Sequence, residues 1–149
     1  MNMNHRVLLP LLVLGILLPV RAAEPPPAGV VYLDHAKVDG AFSQGLPLVA
    51  NNDRYKIHAS RRVVAGVVEV HEKDTDIFYM VEGSATLVTG GTLVEPKTVG
   101  PGEIRARETT GGTTYHLAKG DFVLIPMGVP HWFKEVDGPC LYFVVRVTE

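Results

Sequence analysis

The sequence predicts an all-β domain, and three observations carry that prediction. Short apolar or alternating runs follow one another from residue 55 onward, glycine-rich breaks separate them, and no run keeps the 3.6-residue apolar period of a helix. Closing such strands into a barrel or a two-sheet jelly roll removes exposed edges and makes an interior cavity possible. The predicted strands are 55–60, 66–71, 76–81, 84–89, 104–107, 113–117, 122–125, 131–134 and 140–147, with hairpin or loop signals at Glu82-Gly83, Gly90-Gly91, Gly111-Gly112 and Asp137-Gly138.

Residues 1–22 have the pattern of a secretory signal peptide. His5 and Arg6 precede an uncharged apolar run over residues 7–20, and the segment Val20-Arg21-Ala22 supplies a cleavage site, with the cut expected after Ala22 or Ala23. The run falls short of the about 20 apolar residues that a membrane-spanning helix needs, although an uncleaved anchor stays an alternative. We therefore expect an exported protein, periplasmic or secreted, with no stable membrane anchor after cleavage.

Short segments separate this signal from the strands. Residues 23–29 include three consecutive prolines and predict an extended, Pro-rich spacer. A single domain then covers residues 30–149, with its core motifs in 55–147. Residues 30–33 predict a first strand, Asp34 suits the N-cap of a short helical segment that ends by Gly40, and residues 45–53 have the composition of a loop.

Composition excludes one class of partner and one kind of crosslink. Removal of residues 1–22 leaves 12 basic and 16 acidic residues, so the domain offers no basic face to a phosphate backbone and we expect no nucleic acid partner. Cys140 is the one cysteine, so no internal disulfide forms. Its apolar strand setting favours a buried, inert thiol over a reactive or interchain one.

The first group of candidate site residues lies on two successive predicted strands. Glu69 and His71 are two residues apart, so on a strand their side chains share one face. After a polar turn, Asp76 begins the next strand and shares a face with Phe78 and Met80. Two carboxylates and an imidazole can thus converge from adjacent strands.

The second group follows about sixty residues later. Pro126 and Gly128 predict a sharp bend between two strands, and His131 opens the second of them. That arrangement can set an imidazole opposite the first group.

The spacing of both groups resembles the cupin superfamily, in particular its small single-domain members. The family's first motif is G-x5-H-x-H-x3-4-E-x6-G and its second is G-x5-P-x-G-x2-H-x3-N. The matching positions are His71, Asp76 and Gly83 in the first motif and Gly120, Pro126, Gly128 and His131 in the second. The resemblance covers about residues 55–147. It implies a double-stranded β-helix, or jelly-roll barrel, behind a short N-terminal helical or loop segment, and a homodimer formed through edge strands, in which residues 140–147 could take part.

The chain departs from the family pattern in its ligand set. Glu69 stands at the first histidine, Asp76 at the glutamate and Glu135 at the final asparagine, and Gly66 lies closer to His71 than the pattern asks. The implied three histidines and one glutamate become two histidines and two carboxylates, which are His71, Asp76, His131 and Glu69. Such a set suits divalent iron, manganese, zinc or nickel, and a face of two imidazoles and one carboxylate leaves positions open for substrate.

Other residues are candidates for lining the cavity. His58, Phe78, Met80, Phe133 and Glu135 are the predicted lining, although the apolar members suit simple packing as well and His58 suits a structural role. His35 and His116 suit structural or surface positions. Arg61 and Arg62 predict a solvated edge, with contact between one of them and an anionic ligand as the alternative.

Function follows from the ligand set. The leading hypothesis is a metal-dependent protein that binds or acts on a small oxygenated molecule, as an oxygenase, isomerase or lyase if it is an enzyme. The alternative is a metal-free cupin that binds a small ligand without catalysis, and a structural or storage protein is the third possibility.

Overall fold

A computed structural model describes residues 29–50 and 52–149. The predicted signal peptide, and the spacer up to residue 28, lie outside the described residues. The elements are one helix, α1 (His35–Gln44), and the strands β1 (Pro47–Val49), β2 (Tyr55–Arg62), β3 (Val68–His71), β4 (Asp74–Thr89), β5 (Thr92–Val94), β6 (Lys97–Gly100), β7 (Glu103–Ala106), β8 (Glu108–Thr110), β9 (Thr113–Leu117), β10 (Phe122–Ile125) and β11 (His131–Thr148). The prediction of an all-β fold is confirmed. No helix in this part of the chain is long and apolar enough to cross a membrane.

The N-terminal helix begins where the sequence predicts and ends later. The Asp34 side chain accepts a hydrogen bond from the backbone N–H of Lys37, which caps the first turn. The predicted end at Gly40 is wrong, because an interior glycine destabilises a helix by only about 1 kcal/mol. The helix stops at Gly45, whose φ of 66° is the left-handed conformation of a C-cap. The first strand predicted over residues 30–33 is also wrong, since these residues form neither strand nor helix and Val30, Val31 and Tyr32 are exposed.

Two long strands replace four predicted short ones. The predicted breaks at Glu82-Gly83 and Asp137-Gly138 are not hairpins but a register shift, where β4 and β11 bend opposite each other. Gly83 has a φ of 78°, and a Cβ on it would lie 2.5 Å from the carbonyl oxygen of Pro139. Glycine is therefore required there, because the two backbones approach too closely for a side chain.

The sheet is open and antiparallel. Its hydrogen-bonded order is β1-β2-β11-β3-β7-β6, while β4 pairs with β11, β9 and β10, and β5 and β8 form a separate ribbon. Strands β1, β5, β6 and β8, of three or four residues each, were not predicted, and β1 lies inside the predicted loop. Residues 140–147 pair with β2 on one side and with β4 on the other. That segment is not an edge, so it offers no free backbone for pairing with a second copy.

The helix α1 packs on one face of β2 and β11, and the candidate site lies on the opposite face of these strands. Phe42 of α1 packs against Phe143 with ring centres 4.8 Å apart and the rings tilted by 58°, and the helix covers the fully buried Ala59. Since side chains alternate along a strand, the neighbours of these residues point to the opposite face. The second apolar cluster fills the interior between the long strands and contains Phe78, Met80, Ala85, Leu87, Leu117, Ile125, Phe133, Cys140 and Tyr142. Cys140 is fully buried, as predicted.

Candidate metal centre and adjoining cavity

Backbone hydrogen bonds bring the two sequence groups together. His131, the first residue of β11, lies opposite Glu69 of β3. The bend before it is fixed because the N–H of Gly128 donates to the carbonyl oxygen of His71 at 2.7 Å. His71 and His131 thereby face each other, with ring centres 5.2 Å apart.

Each imidazole is oriented by an acceptor behind it. The Nδ1 of His71 lies 2.8 and 2.9 Å from the two carboxylate oxygens of Glu103. The Nδ1 of His131 lies 3.2 Å from the carbonyl oxygen of Val129. Because both acceptors take a proton on Nδ1, each ring presents the unprotonated Nε2 to the site. This is how ligating histidines are commonly held in metal proteins.

Two carboxylates face those Nε2 atoms. Glu69 Oε2 lies 3.6 Å from His71 Nε2, and Asp76 Oδ2 lies 3.5 Å from His71 Nε2 and 3.7 Å from His131 Nε2. Ligand atoms of Glu69, His71 and His131 all lie within 4.8 Å of one another. Two ligands of one metal ion, at bond lengths of about 2.1 Å, are about 3.0 to 3.5 Å apart, so small side-chain adjustments suffice.

Arg146 is the residue of this site that sequence reasoning missed. Its Nε and Nη2 donate to the two oxygens of Asp76 at 2.8 and 3.2 Å, and its Nη2 also lies 2.8 Å from His71 Nε2. The lone pair of His71 that a metal would use is therefore accepting a hydrogen bond from Arg146. A signal existed: Arg146 is an arginine in an otherwise apolar strand, on the same face as Tyr142 and Val144.

Burial and the surrounding charges set the protonation of the site. Burial lowers the pKa of His131, although the negative charge of Asp76 opposes that shift. Burial alone would raise the pKa of Glu103, but hydrogen bonds from His71 and Arg105 outweigh it and lower the pKa. The Arg146 guanidinium has a raised pKa, because its hydrogen bonds to Asp76 outweigh burial. The site thus combines a neutral His131 with ionised Glu103 and Arg146.

A cavity of about 190 Å³ adjoins these residues. Of the predicted lining, His58, Phe78 and Phe133 line it. Burial, followed by the charge of Arg146, lowers the pKa of His58, so its imidazole is neutral at neutral pH. The complete lining is His58, Ser60, Arg62, Glu69, Asp76, Phe78, His131, Phe133, Tyr142, Val144 and Arg146.

Two predicted lining residues lie elsewhere. Met80 is fully buried in the apolar cluster behind the cavity. Glu135 is exposed and accepts a hydrogen bond from the Thr86 hydroxyl at 2.9 Å. A register shift in β11 between Phe133 and Glu135 changes the alternation of the strand, which turns Glu135 away from the face that carries His131 and Phe133.

The sequence leaves two roles open for Arg61 and Arg62, a solvated edge or contact with an anionic ligand, and the structure places the two residues differently. Arg61 is exposed, as a solvated edge predicts, whereas Arg62 is half-buried and lines the cavity. Alternation decides this, since Arg62 shares a face with Ser60 and His58 on β2. His35 and His116 are exposed and lie outside the cavity lining.

Solved structures show which fold this is, although no family model and no curated protein matches the sequence. The chain is similar to the cupin domain of Schizosaccharomyces pombe Cnp3, with a TM-score of 0.52 and 10% identity over 70% of this chain and 64% of that one. This chain has the cupin fold. A Bacillus halodurans protein gives a TM-score of 0.55 at 11% identity over 83% and 85% of the two chains. Hydroquinone 1,2-dioxygenase from Sphingomonas sp. TTNP3 gives 0.50 at 16% identity over 69% and 64%.

The cupin fold here carries a donor set that fits a metal ion. The imidazoles of His71 and His131 and the carboxylate of Glu69 form the two-histidine, one-carboxylate arrangement of first-row transition metals. Asp76 is close enough to be a fourth ligand, but Arg146 holds both of its oxygens. A metal bound at His71 Nε2 requires Arg146 to leave that nitrogen. The fold therefore brings all four predicted ligands together and adds a cation that competes for two of them.

Proposed function

We propose that this cupin-fold protein binds a divalent transition metal, which is iron, manganese, zinc or nickel, through Glu69, His71 and His131. One observation carries the proposal: ligand atoms of Glu69, His71 and His131 lie within 4.8 Å of one another, and each imidazole is held by an acceptor on Nδ1. Glu69 Oε2 lies 3.6 Å from His71 Nε2, so a carboxylate faces the imidazole nitrogen that is left toward the cavity. When bound, the metal supplies Lewis-acid chemistry toward an oxygen-containing group, or oxygen activation if it is iron.

The remaining residues of the cavity would hold the molecule on which the protein acts. The cavity is partly apolar, through Phe78, Phe133 and Val144, and suits a small oxygenated molecule. Asp76 accepts hydrogen bonds from Arg146 on both oxygens, so it positions the guanidinium and is not available as a base. His58 is the neutral imidazole of the lining outside the ligand set, which makes it the candidate proton acceptor.

Metal content of purified protein tests the metal proposal. The protein is stripped with chelator, reconstituted in turn with Fe(II), Mn(II), Zn(II) and Ni(II), and analysed for bound metal. We expect one equivalent of at least one metal in the wild type and none in the His71→Ala/His131→Ala double variant. His116→Ala is the matched control, because His116 is an exposed histidine outside the site. Sub-stoichiometric binding of all four metals by the wild type would contradict the proposal.

A metal-free binding protein is the second candidate, and Arg146 is the observation that favours it. The guanidinium already satisfies Asp76 and His71, so the site is electrostatically complete without a metal. Such a protein would be stabilised thermally by its small ligand, without turnover and without any effect of chelator. Loss of that stabilisation on chelation would instead favour the metal-dependent function.

Export is part of the proposal. The charge and apolar pattern of residues 1–22 supports a signal peptide with cleavage after Ala22 or Ala23. The intact mass of protein recovered from the periplasm or medium of a bacterial expression host should match a chain that begins at residue 23 or 24. Full-length protein that stays in the cytoplasm would contradict export, whereas full-length protein in the membrane fraction would favour the uncleaved anchor.

A further inference from the structure

The cavity has a second polar end, formed by residues that the metal centre does not use. Three neighbouring strands present alternate side chains to the cavity. These rows are His58, Ser60 and Arg62 on β2, Tyr142, Val144 and Arg146 on β11, and Asp76 and Phe78 on β4. Arg62 of β2 lies opposite Cys140 of β11. Cys140 is six residues from Arg146 along β11, so the backbones of the two arginines are about 20 Å apart along the strands. Arg62, Phe133 and Tyr142 are called the Arg62 end from here on.

The guanidinium of Arg62 is held in place by two contacts. Its Nε donates to the Tyr142 hydroxyl at 3.1 Å, and its central carbon lies 4.9 Å from the centre of the Phe133 ring. Gly66 leaves room for the guanidinium in this position, since a Cβ on that residue would lie 2.7 Å from Nη1. Aromatic stacking and a hydrogen bond on Nε fix the plane of the guanidinium. Its orientation is therefore set before any ligand arrives.

That fixed charge has no acidic partner among residues 29–50 and 52–149. No carboxylate oxygen there lies within 4.0 Å of Arg62, and its one side-chain hydrogen bond runs to Tyr142. Arg146, by contrast, forms an ion pair with Asp76. Glu69 forms an ion pair with Arg105, whose Nη2 lies 3.3 Å from Glu69 Oε2. The Arg62 end is consequently the part of the cavity with net positive charge.

The chemistry of this end selects a carboxylate. A guanidinium with both Nη groups available donates two parallel hydrogen bonds to the two oxygens of a carboxylate. Tyr142 adds a donor, because its oxygen accepts from Arg62 while its own proton is free; burial raises the pKa of Tyr142, which keeps that proton in place. A cavity of about 190 Å³ suits a small acid.

We propose that Arg62 and Tyr142 bind the carboxylate of a small monocarboxylic acid whose apolar body lies along Phe133 and Phe78 toward the imidazoles. The ring centres of Phe133 and Phe78 are 5.5 Å apart, and those of Phe78 and His131 are 6.0 Å apart, so an aromatic wall joins the two ends. This names the substrate class of the proposed function and rests on the cavity taking a small oxygenated molecule. It does not require that a metal be bound.

Matched pairs of ligands with the same apolar body and nearly the same shape, one with a carboxylate and one with a neutral amide, provide the test. Benzoate is compared with benzamide, and propionate with propionamide, by calorimetric or NMR titration of chelator-treated protein. We expect the wild type to bind at least one acid about 10-fold or more tightly than its amide, because hydrogen bonds to an ionised carboxylate are stronger than those to a neutral amide. Arg62→Gln should remove that preference, and Arg62→Lys should keep part of it. Arg61→Gln is the control, because it removes the neighbouring exposed arginine.

Three results would overturn the carboxylate site. The first is equal binding of acid and amide by the wild type at millimolar concentration, which includes binding of neither. The second is a preference for the acid that survives Arg62→Gln. The third is binding of inorganic phosphate at least as tightly as either acid. Folding of each variant is checked by thermal unfolding, and Arg62→Lys keeps the test decisive if Arg62→Gln does not fold. If the protein binds metal stoichiometrically but shows no preference for the acid, the metal proposal stands and the carboxylate site is wrong. If it prefers the acid through Arg62 but binds no metal, the carboxylate site stands and the metal proposal is wrong.

Discussion

The cavity has an arginine at each end, and the two arginines differ in what neutralises their charge. The metal end consists of Glu69, His71, Asp76, His131 and Arg146. There the guanidinium of Arg146 donates to both oxygens of the Asp76 carboxylate, which is 3% exposed. At the Arg62 end, the guanidinium meets an aromatic ring and a hydroxyl. The first arginine completes an internal network, while the second keeps two donor groups for a ligand. One end therefore has to be opened before it can bind, and the other is ready to bind.

The largest difference between the ends should appear in stability. Asp76→Ala leaves the largely buried Arg146 with weaker partners, Asp74 at 3.7 Å and Glu103 at 3.9 Å. Breaking a buried ion pair is strongly destabilising, and some exposure of Arg146 reduces the effect, so we expect the free energy of unfolding to fall by about 2–3 kcal/mol. Arg62→Gln should lower it by less than about 1 kcal/mol, because no charge is left unpaired. Urea denaturation of both metal-free variants measures the difference, and equal losses would contradict the contrast.

The second prediction concerns the acceptor behind His71. Glu103→Gln removes the carboxylate that fixes the Nδ1 proton, so Nε2 is no longer reliably presented. Metal affinity should fall about 10- to 100-fold, as it does when outer partners of ligating histidines are removed. Competition with a fluorescent chelator measures the change. Glu135→Gln, at an exposed glutamate outside the cavity, should leave the affinity unchanged.

The third prediction uses Arg146 as a competitor. Arg146→Met keeps an apolar stem but frees His71 Nε2 and removes a positive charge, so metal affinity should rise by about 10-fold, or about 1.4 kcal/mol. The same chelator competition measures it. Arg61→Gln, which removes an equal charge from the surface, controls for general electrostatics. Weaker metal binding by Arg146→Met would mean that Arg146 assembles the site instead of competing within it.

The smallest effect is a pH dependence at the metal end. A histidine in an unfolded chain titrates near pH 6.5, and burial lowers the pKa of His131 in the folded protein. Between these two pKa values the unfolded chain binds more protons, so the free energy of unfolding of metal-free protein should decrease as the pH falls below about 6.5. His131→Gln should flatten that slope, whereas His116→Gln should not. An unchanged slope in His131→Gln would contradict the assignment.

The sequence predicts local patterns well because they depend on neighbours along the chain. Alternation put Glu69 and His71 on one face and Asp76 with Phe78 on another. The approach of His131 to them, about sixty residues away, was instead implied by the resemblance to the cupin motifs. Strands at 113–117 and 122–125 have the predicted bounds. The shared faces and the strand bounds follow from a two-residue period and from turn residues, both of which can be read within a few positions.

Features that depend on distant pairs were missed. Arg146 is 70 residues from Asp76, and Glu103 is 32 residues from His71, so no local pattern links them. A glycine such as Gly83 is compatible both with a hairpin turn and with a bend inside one long strand. Only the close approach of the Pro139 backbone shows that the bend is formed. Glu135 was misplaced for the related reason that a register shift alters alternation beyond it.

An anomalous-scattering map of metal-loaded crystals tests the central claim most directly. Data collected on both sides of the absorption edge of the bound metal should give one peak, within bonding distance of Glu69, His71 and His131. Arg146 should then have left His71 Nε2. A map without a peak at these three side chains, with Arg146 still bonded to both Asp76 and His71, would contradict the account.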